Sequence, residues 1–246
     1  KVVHLPKDMS YDFSKEEEMS NKIWQQVRLL EYLDTLPICQ FMFEDIEADD
    51  IIAAITQSKE LSNWKKVILS NDKDFMQLCD ENTILCRPAK KPWEVLNTKR
   101  ILEDLKIHPK NMALARAMIG DPSDNLPGVP GIGFGRVVKF FPFLENSTEY
   151  SIQDILTATK ESLKEKKSKY LEKLLECEDI IRDNYKIMQL YQPSISYQRR
   201  KIIDNTLAER EKHLNLTGYK MLLAEDGFMS LKWDVLHQTM RRIVHE

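Results

Sequence analysis

Apolar residues first recur at a helical interval between Asn21 and Asp34. They fall at Ile23, Val27 and Leu30, with Leu29 and Leu33 alongside, and Pro37 closes the segment. Residues 1–20 before it are polar, carry the acidic run Glu16-Glu17-Glu18, and read as a loop leading into that helix. Ile38 to Phe43 then reads as a strand, and Ala48 to Ser58 as a helix with Ile51, Ile52 and Ile55 on its inner face. Lys65-Lys66 leads into Val67-Ile68-Leu69, a short apolar run of the buried-strand kind. A shorter strand is expected from Thr83 to Cys86. Beyond the loop at Pro88 to Pro92, Trp93 to Leu96 offers a return. This alternation predicts an α/β class, a parallel sheet with helices packed on it.

After about Thr98 the strand signals fade. Thr98–Leu105 and Asn111–Ile119 have helical spacing. Most of the seven glycines lie in the stretch Gly120 to Gly135. From about Tyr150 to His245 the chain is mainly helical and rich in lysine and glutamate, with a break at Pro193-Ser194. Three regions follow: 1–100, 101–150 and 151–246.

Composition narrows the class only slightly. The 246 residues suffice for one large domain or two small ones, and 42% hydrophobic with 30% charged residues is ordinary for a chain that buries a core. No apolar run approaches the roughly 18 residues of a membrane span, and no signal-peptide pattern opens the chain. Cys39, Cys79, Cys86 and Cys177 are widely spaced and form no CxxC pair. They read as reduced thiols, and a cytoplasmic setting is expected. The net charge of −3 does not announce a nucleic-acid binder. A chain that gathers carboxylates around metal ions would, however, cancel its basic patches in the sum.

Three acidic clusters are the candidate chemistry. Glu47-Ala48-Asp49-Asp50 follows the expected strand at Ile38–Phe43, and Asp72-Lys73-Asp74 follows the one at Val67–Leu69. Asp121-Pro122-Ser123-Asp124 follows the helix ending near Ile119. Strand C-termini are where open α/β sheets place their sites. On a helix, Glu47 and Asp50 would share a face; in an extended segment, Asp72 and Asp74 would point the same way. Each cluster has a plainer explanation, since aspartates often cap helices or shape turns. Together, seven carboxylates converging on one cleft would repel one another without cations. Mg²⁺, an oxygen-seeking ion, answers that, and two such ions roughly 4 Å apart can clamp the attacking and leaving oxygens of a phosphodiester.

Gly128-Val129-Pro130-Gly131-Ile132-Gly133, followed by Phe134-Gly135-Arg136, reads as a helix-hairpin-helix. Its glycines let backbone N–H groups approach a phosphate, and such a hairpin grips the DNA backbone without reading bases. The alternative is an ordinary helix-to-helix turn. A dinucleotide-binding loop does not fit, because no strand precedes it.

In order and spacing, the strings IEADDIIA, SNDKDFMQL and MIGDPSDNLPGVPGIG resemble the 5′ nuclease family of phage 5′–3′ exonucleases, the 5′ nuclease domain of bacterial DNA polymerase I and flap endonucleases. The resemblance covers roughly residues 20–190. It implies a PIN-like parallel sheet with flanking helices, then a helix-hairpin-helix and a helical C-terminal region. It implies a phosphodiester hydrolase using two Mg²⁺ (or Mn²⁺) ions. Glu47 and Asp49 would hold the first ion, with Asp50 close by; Asp72, Asp74 and Asp121 would serve the second, with Asp124 in support. The family's hairpin also holds K⁺ through backbone carbonyls, which fall around Val129 and Ile132 here. The implied substrate is DNA with a 5′ end or flap, or RNA primers on DNA. A monomer working beside replication proteins, away from membranes, is expected.

Two departures stand out. The family opens with a strand carrying a ligand aspartate, and a second aspartate follows before a helical arch; this chain resembles the family from beyond the arch, with Lys1 and Lys7 as remnants of it. Where many relatives carry lysine after the hairpin glycines, this chain has Gly135, and Arg136 follows. Gly131, Gly133, Gly135, Arg136 and Lys139 are the candidate DNA contacts, with Arg116 a weaker one. The basic run Arg87, Lys90, Lys91, Lys99 and Arg100 reads as a backbone patch or a solvated loop. The Lys160–Lys173 run reads as an exposed helix with i,i+4 pairs. Phe140, Phe141 and Phe143 read as core, and the five histidines form no metal spacing. The rival readings are a DNA-binding accessory module without catalysis and a PIN-like ribonuclease.

Overall fold

A computed structural model describes residues 15–88, 92–209, 214–228 and 232–245. The chain forms two compact units: residues 43–204, and a smaller one built from residues up to 42 and from 205 onward. These units group residues by contact, and residues 43–204 take in parts of all three regions distinguished by sequence character. Lys1, Lys7, Lys90 and Lys91 lie outside the described residues.

In the larger unit, α2 (Ala48–Thr56) precedes a three-stranded sheet of order β1-β2-β3, made of β1 (Lys66–Leu69), β2 (Thr83–Arg87) and β3 (Glu94–Leu96). The first pair is parallel, with Ile68 opposite Leu85; the second is antiparallel, with Leu85 opposite Leu96. These three residues are buried and start the core. The α/β expectation holds, with the third strand turned back on the parallel pair.

Two expectations about strands fail. Among the described residues, Ile38–Phe43 forms no strand. A strand needs a hydrogen-bonded neighbour, and this run has none there, with Met42 82% exposed. Val67-Ile68-Leu69 is a strand but not a buried run: Ile68 is inside, while Val67 and Leu69 are about 60% exposed.

Beyond the sheet, α3 (Thr98–Leu105) starts at Asn97, whose side chain accepts from the Arg100 amide, and stops at Lys106 in the left-handed region. α4 (Met112–Ile119) buries Met112, Ala113, Leu114, Ala115, Ala117 and Met118, so it is apolar nearly all round and runs through the core. It packs along α8 (Glu178–Met188). Buried Asn111, just before α4, donates to the carbonyls of Leu144, Asn146 and Thr148 and accepts from the Tyr150 amide. α5 (Phe134–Phe140) completes the hairpin. Phe141 is fully buried, and Phe140 and Phe143 lean on the core.

The Lys160–Lys173 run is split between α6 (Ile152–Glu165) and α7 (Lys169–Glu176). Its lysines are exposed as expected, but among the described residues none makes an i,i+4 ion pair. The first helix is instead fixed by a capping box in which Ser151 and Asp154 satisfy each other's backbone amides. α9 (Tyr197–Glu209) then runs across the limit between the units.

In the smaller unit, α1 (Lys15–Asp34), α10 (Leu216–Glu225) and α11 (Trp233–His245) are helical. Residues 15–20, expected as loop, belong to α1. Arg28 ties α1 to Asp226 at 2.8 Å and to Glu225 at 2.8 Å, and the Tyr32 hydroxyl donates to Asp226 at 2.6 Å. The apolar spacing on α1 is real, but Ile23 and Val27 remain about half exposed.

Candidate metal centre and hairpin

Each acidic cluster sits where the backbone changes direction. Glu47 is the residue before α2, and Asp49 and Asp50 lie in that helix's first turn, which favours negative charge. Since Ile38–Phe43 is not a strand, only the Asp72 cluster follows a strand end. Asp72 and Asp74 are not in an extended segment either. The Asp74 amide donates to Asp72 Oδ1 at 2.8 Å, turning the chain into a short 3-10 helix, Asp74–Leu78. Asp121 caps another, Pro122–Asp124: its Oδ1 accepts from the Ser123 amide at 2.9 Å and the Ser123 hydroxyl at 2.5 Å. The Ser194 amide donates to Asp50 Oδ1 at 2.9 Å. The capping and turn roles are therefore real at Asp72 and Asp121. They leave lone pairs free, because a carboxylate offers about four acceptor sites.

Charge couples the clusters. Burial raises the Asp49 carboxyl above its ordinary value, and the charges of Asp72, Glu47, Asp50 and Asp124 add to the rise. Burial likewise pushes Asp74 up to about 6, opposed by Arg116 and reinforced by Asp72, Asp121 and Asp49. Asp121 is held below the usual range, first by the Ser123 hydroxyl and then by Arg116. Six of the seven predicted acids thus appear directly in one mutual field, and Asp121 links to it through Asp74.

Arg116 is the residue the sequence undervalued. Its Nη2 lies 2.7 Å from Asp74 Oδ1 and 2.5 Å from Asp121 Oδ2, a role beyond the weaker phosphate contact expected of it. The side chain is only 13% exposed, so the pairing is sheltered from solvent. No spacing rule links residue 116 to residue 74, which is why the bridge was hidden. A cleft of about 440 Å³ opens beside it, lined by Asp72, Lys73, Arg116, Asp121 and Ser123.

The donor set fits a hard divalent cation. It consists of carboxylate oxygens, and the buried Asp74 Oδ1, though close to Arg116, accepts no hydrogen bond. Among the described residues no three His, Cys, Asp or Glu side chains converge tightly enough to enclose an ion. Of the seven acids, Asp72 and Asp121 line the cleft.

The hairpin follows. Gly120, at φ +78°, and Gly128 meet backbone to backbone: a Cβ on Gly128 would stand 1.8 Å from the Ile119 oxygen, and one on Gly120 2.3 Å from the Gly128 nitrogen. Buried Asn184 of α8 donates to the carbonyls of Ala117 and Pro127 at 3.0 and 2.8 Å, pinning both ends of the loop. Val129 and Ile132 are buried, and the Val129 carbonyl accepts from the Ile132 amide at 2.9 Å. Gly131 has φ +84°. Gly133 and Gly135 have open space around them. Arg136 and Lys139 are exposed. Arg136 folds back, donating to the Gly131 carbonyl and, at 3.2 Å, to the Tyr170 hydroxyl. In the basic run that begins at Arg87, Arg87 pairs with Glu94 at 2.8 Å and Arg100 with Asp104 at 2.8 Å.

Residues 9–106 match the 5′-3′ exonuclease N-terminal resolvase-like domain. DNA polymerase I of Bacillus subtilis is 30% identical over 147 residues, which is 59% of this chain and 17% of the relative. The 5′-3′ exonuclease of Buchnera aphidicola from Schizaphis graminum is 36% identical over 121 residues, or 49% of this chain and 42% of the relative. The chain thus spans less than half the length of these relatives. Among solved structures, a bacteriophage T5 protein co-crystallised with metal ions superposes with a TM-score of 0.64 at 19% identity, covering 83% of this chain and 75% of that one. A T5 flap endonuclease in a complex with DNA and metal ions gives 0.63 at 17% identity, over 81% and 72%. The fold is shared with these structures, and the sequence matches are to 5′-3′ exonucleases and to DNA polymerase I, over part of this chain and less than half of those relatives.

Proposed function

We propose that the protein is a structure-specific, divalent-metal-dependent 5′ nuclease that hydrolyses phosphodiesters at 5′ ends or 5′ flaps of DNA, or of RNA primers on DNA. The observation that carries this reading is the Arg116 bridge between Asp74 and Asp121, beside a cleft lined by Asp72 and Asp121, with the charges of Asp49 and its neighbours acting on the same acids. Glu47, Asp49 and Asp50 would hold one Mg²⁺ or Mn²⁺, and Asp72, Asp74, Asp121 and Asp124 would hold and support a second. Such ions, when bound, activate a water and neutralise charge developing on the phosphate. The chain's own part is to anchor the acids. Ser123 orients Asp121, the Asp74 amide orients Asp72, and Ser194 orients Asp50.

The hairpin, with Arg136 and Lys139, would hold the duplex backbone, and K⁺ would sit at the carbonyls of Val129 and Ile132. A monomer acting in the cytoplasm beside replication proteins completes the proposal.

The test is cleavage of a 5′-labelled flap duplex in Mg²⁺ and in EDTA, with Asp72→Asn alongside. Products near the flap junction that vanish in EDTA, and fall on the order of a hundredfold or more in the variant, support the reading. Duplex binding with no cleavage in any metal would instead leave a DNA-binding accessory module.

A further inference from the structure

Tyr170 lies 34 residues beyond Arg136, on α7, inside the Lys160–Lys173 run, and its sequence position predicts no role for it. Its ring nevertheless lies under the Arg136 guanidinium, 4.0 Å from the guanidinium carbon to the ring centroid. Its hydroxyl accepts from Arg136 Nη2 at 3.2 Å, while Nη1 donates to the Gly131 carbonyl. The arginine is held on three sides: by a ring, a hydroxyl and the hairpin backbone. Gly131 is cut to the same shape, since a Cβ there would come 2.9 Å from Tyr170 Cε1. Lys169 brings a second cation to that ring, with Nζ 5.3 Å from its centroid.

Among the described residues, no carboxylate pairs with Arg136. Its charge is therefore not cancelled locally. Two of its five N–H donors are used in these bonds, and three remain. A free arginine side chain gives up rotamer entropy when it is fixed on a ligand. Here that ordering is made beforehand, by contacts that a solvated arginine would lack.

We propose that Tyr170 is a positioning residue for duplex binding: it presets the Arg136 guanidinium against the hairpin, so that Arg136, with Lys169 beside it, meets a DNA phosphate without reordering. The proposal rests on the nuclease reading, in which the hairpin side of the molecule faces the duplex. It assigns α7 a part in substrate binding.

The test is the Kd of the full chain for a 5′-flap duplex in EDTA, across a series of KCl concentrations. It compares wild type with Arg136→Ala, Tyr170→Leu, Tyr170→Phe and the double variant Tyr170→Leu/Arg136→Ala. Arg136→Ala should weaken binding and reduce the slope of log Kd against log salt by about one. Tyr170→Leu should weaken binding about three- to tenfold, the range expected when a cation–ring contact and the ordering it provides are lost. Tyr170→Phe keeps the ring and should stay within about twofold of wild type. In the Arg136→Ala background Tyr170→Leu should change nothing further.

If Tyr170→Leu costs as much without Arg136 as with it, the tyrosine is only packing α7 and the proposal is overturned. Wild-type affinity in Tyr170→Leu overturns it too. Because Tyr170→Leu could loosen α7, thermal unfolding of each variant accompanies the titration, and the Phe variant alone still decides: a loss as large as that of Leu would exclude the ring as the positioning element. A wild-type chain that does not bind the duplex at all would remove the nuclease reading itself, an outcome distinct from unaltered binding by the variants.

Discussion

Asp74 is the residue whose surroundings conflict most. It touches a guanidinium, yet its carboxyl is pushed up to about 6, because burial and three neighbouring acids outweigh Arg116. The folded value lies above the ordinary 3.8, so protonation stabilises the folded state. In EDTA that contribution is complete below about pH 4 and disappears as pH rises through about 6. Asp74→Asn removes the titration. We expect the variant to gain in Tm relative to wild type as pH rises from 4 to 7. The gain should be about 2–4 °C, corresponding to roughly 1 kcal/mol once Arg116 and solvent are discounted. A Tm difference that does not vary with pH would mean another group carries the effect. Saturating Mg²⁺ should reverse the order, because a bound cation favours the ionised acid.

At the scale of elements, the glycines of the hairpin separate into two kinds. Gly128 is closed in by the Ile119 carbonyl, whereas Gly135 stands in α5 with nothing within 4 Å. Gly128→Ala should therefore cost at least about 3 kcal/mol, the upper end of overpacking, with loss of duplex binding. Gly135→Ala should stabilise by about 0.5–1 kcal/mol through helix propensity. Urea unfolding of the two variants checks both signs. That contrast also marks what was legible in the sequence. Helices α3 and α4 and the three strands declared themselves through local periodicity and flanking turn residues. Ile38–Phe43 misled because an apolar run says nothing of whether a neighbouring strand exists. Asp72 and Asp74 were found as a pair, but their turn was not, because an aspartate two residues before an amide suits a turn as well as a strand. Asn184, Tyr170 and the bridge from Arg116 to Asp74 were beyond reach, since each joins residues more than thirty apart in sequence: Asn184 to Pro127, Tyr170 to Arg136 and Arg116 to Asp74.

For the molecule as a whole, the net charge of −3 conceals a division of labour. Asp72 and Asp121 line the cleft beside Arg116, while Arg136, Lys139 and Lys169 stand exposed on and beside the hairpin. Duplex binding should consequently weaken steeply with salt despite the negative total, with a slope of log K near −0.9 for each phosphate neutralised. A salt-independent Kd, measured by fluorescence anisotropy in EDTA, would contradict that arrangement. The meeting of Gly120 with Gly128 carries a different kind of consequence. Those two positions are held to glycine by the volume around them, and Gly120 by its φ of +78° as well, whatever the acids beside them do. A descendant of this chain that had lost its aspartates and ceased to cut would still need both glycines in order to fold. Their presence in a genome therefore reports a shape inherited, and the carboxylates must be inspected separately before an activity is inferred.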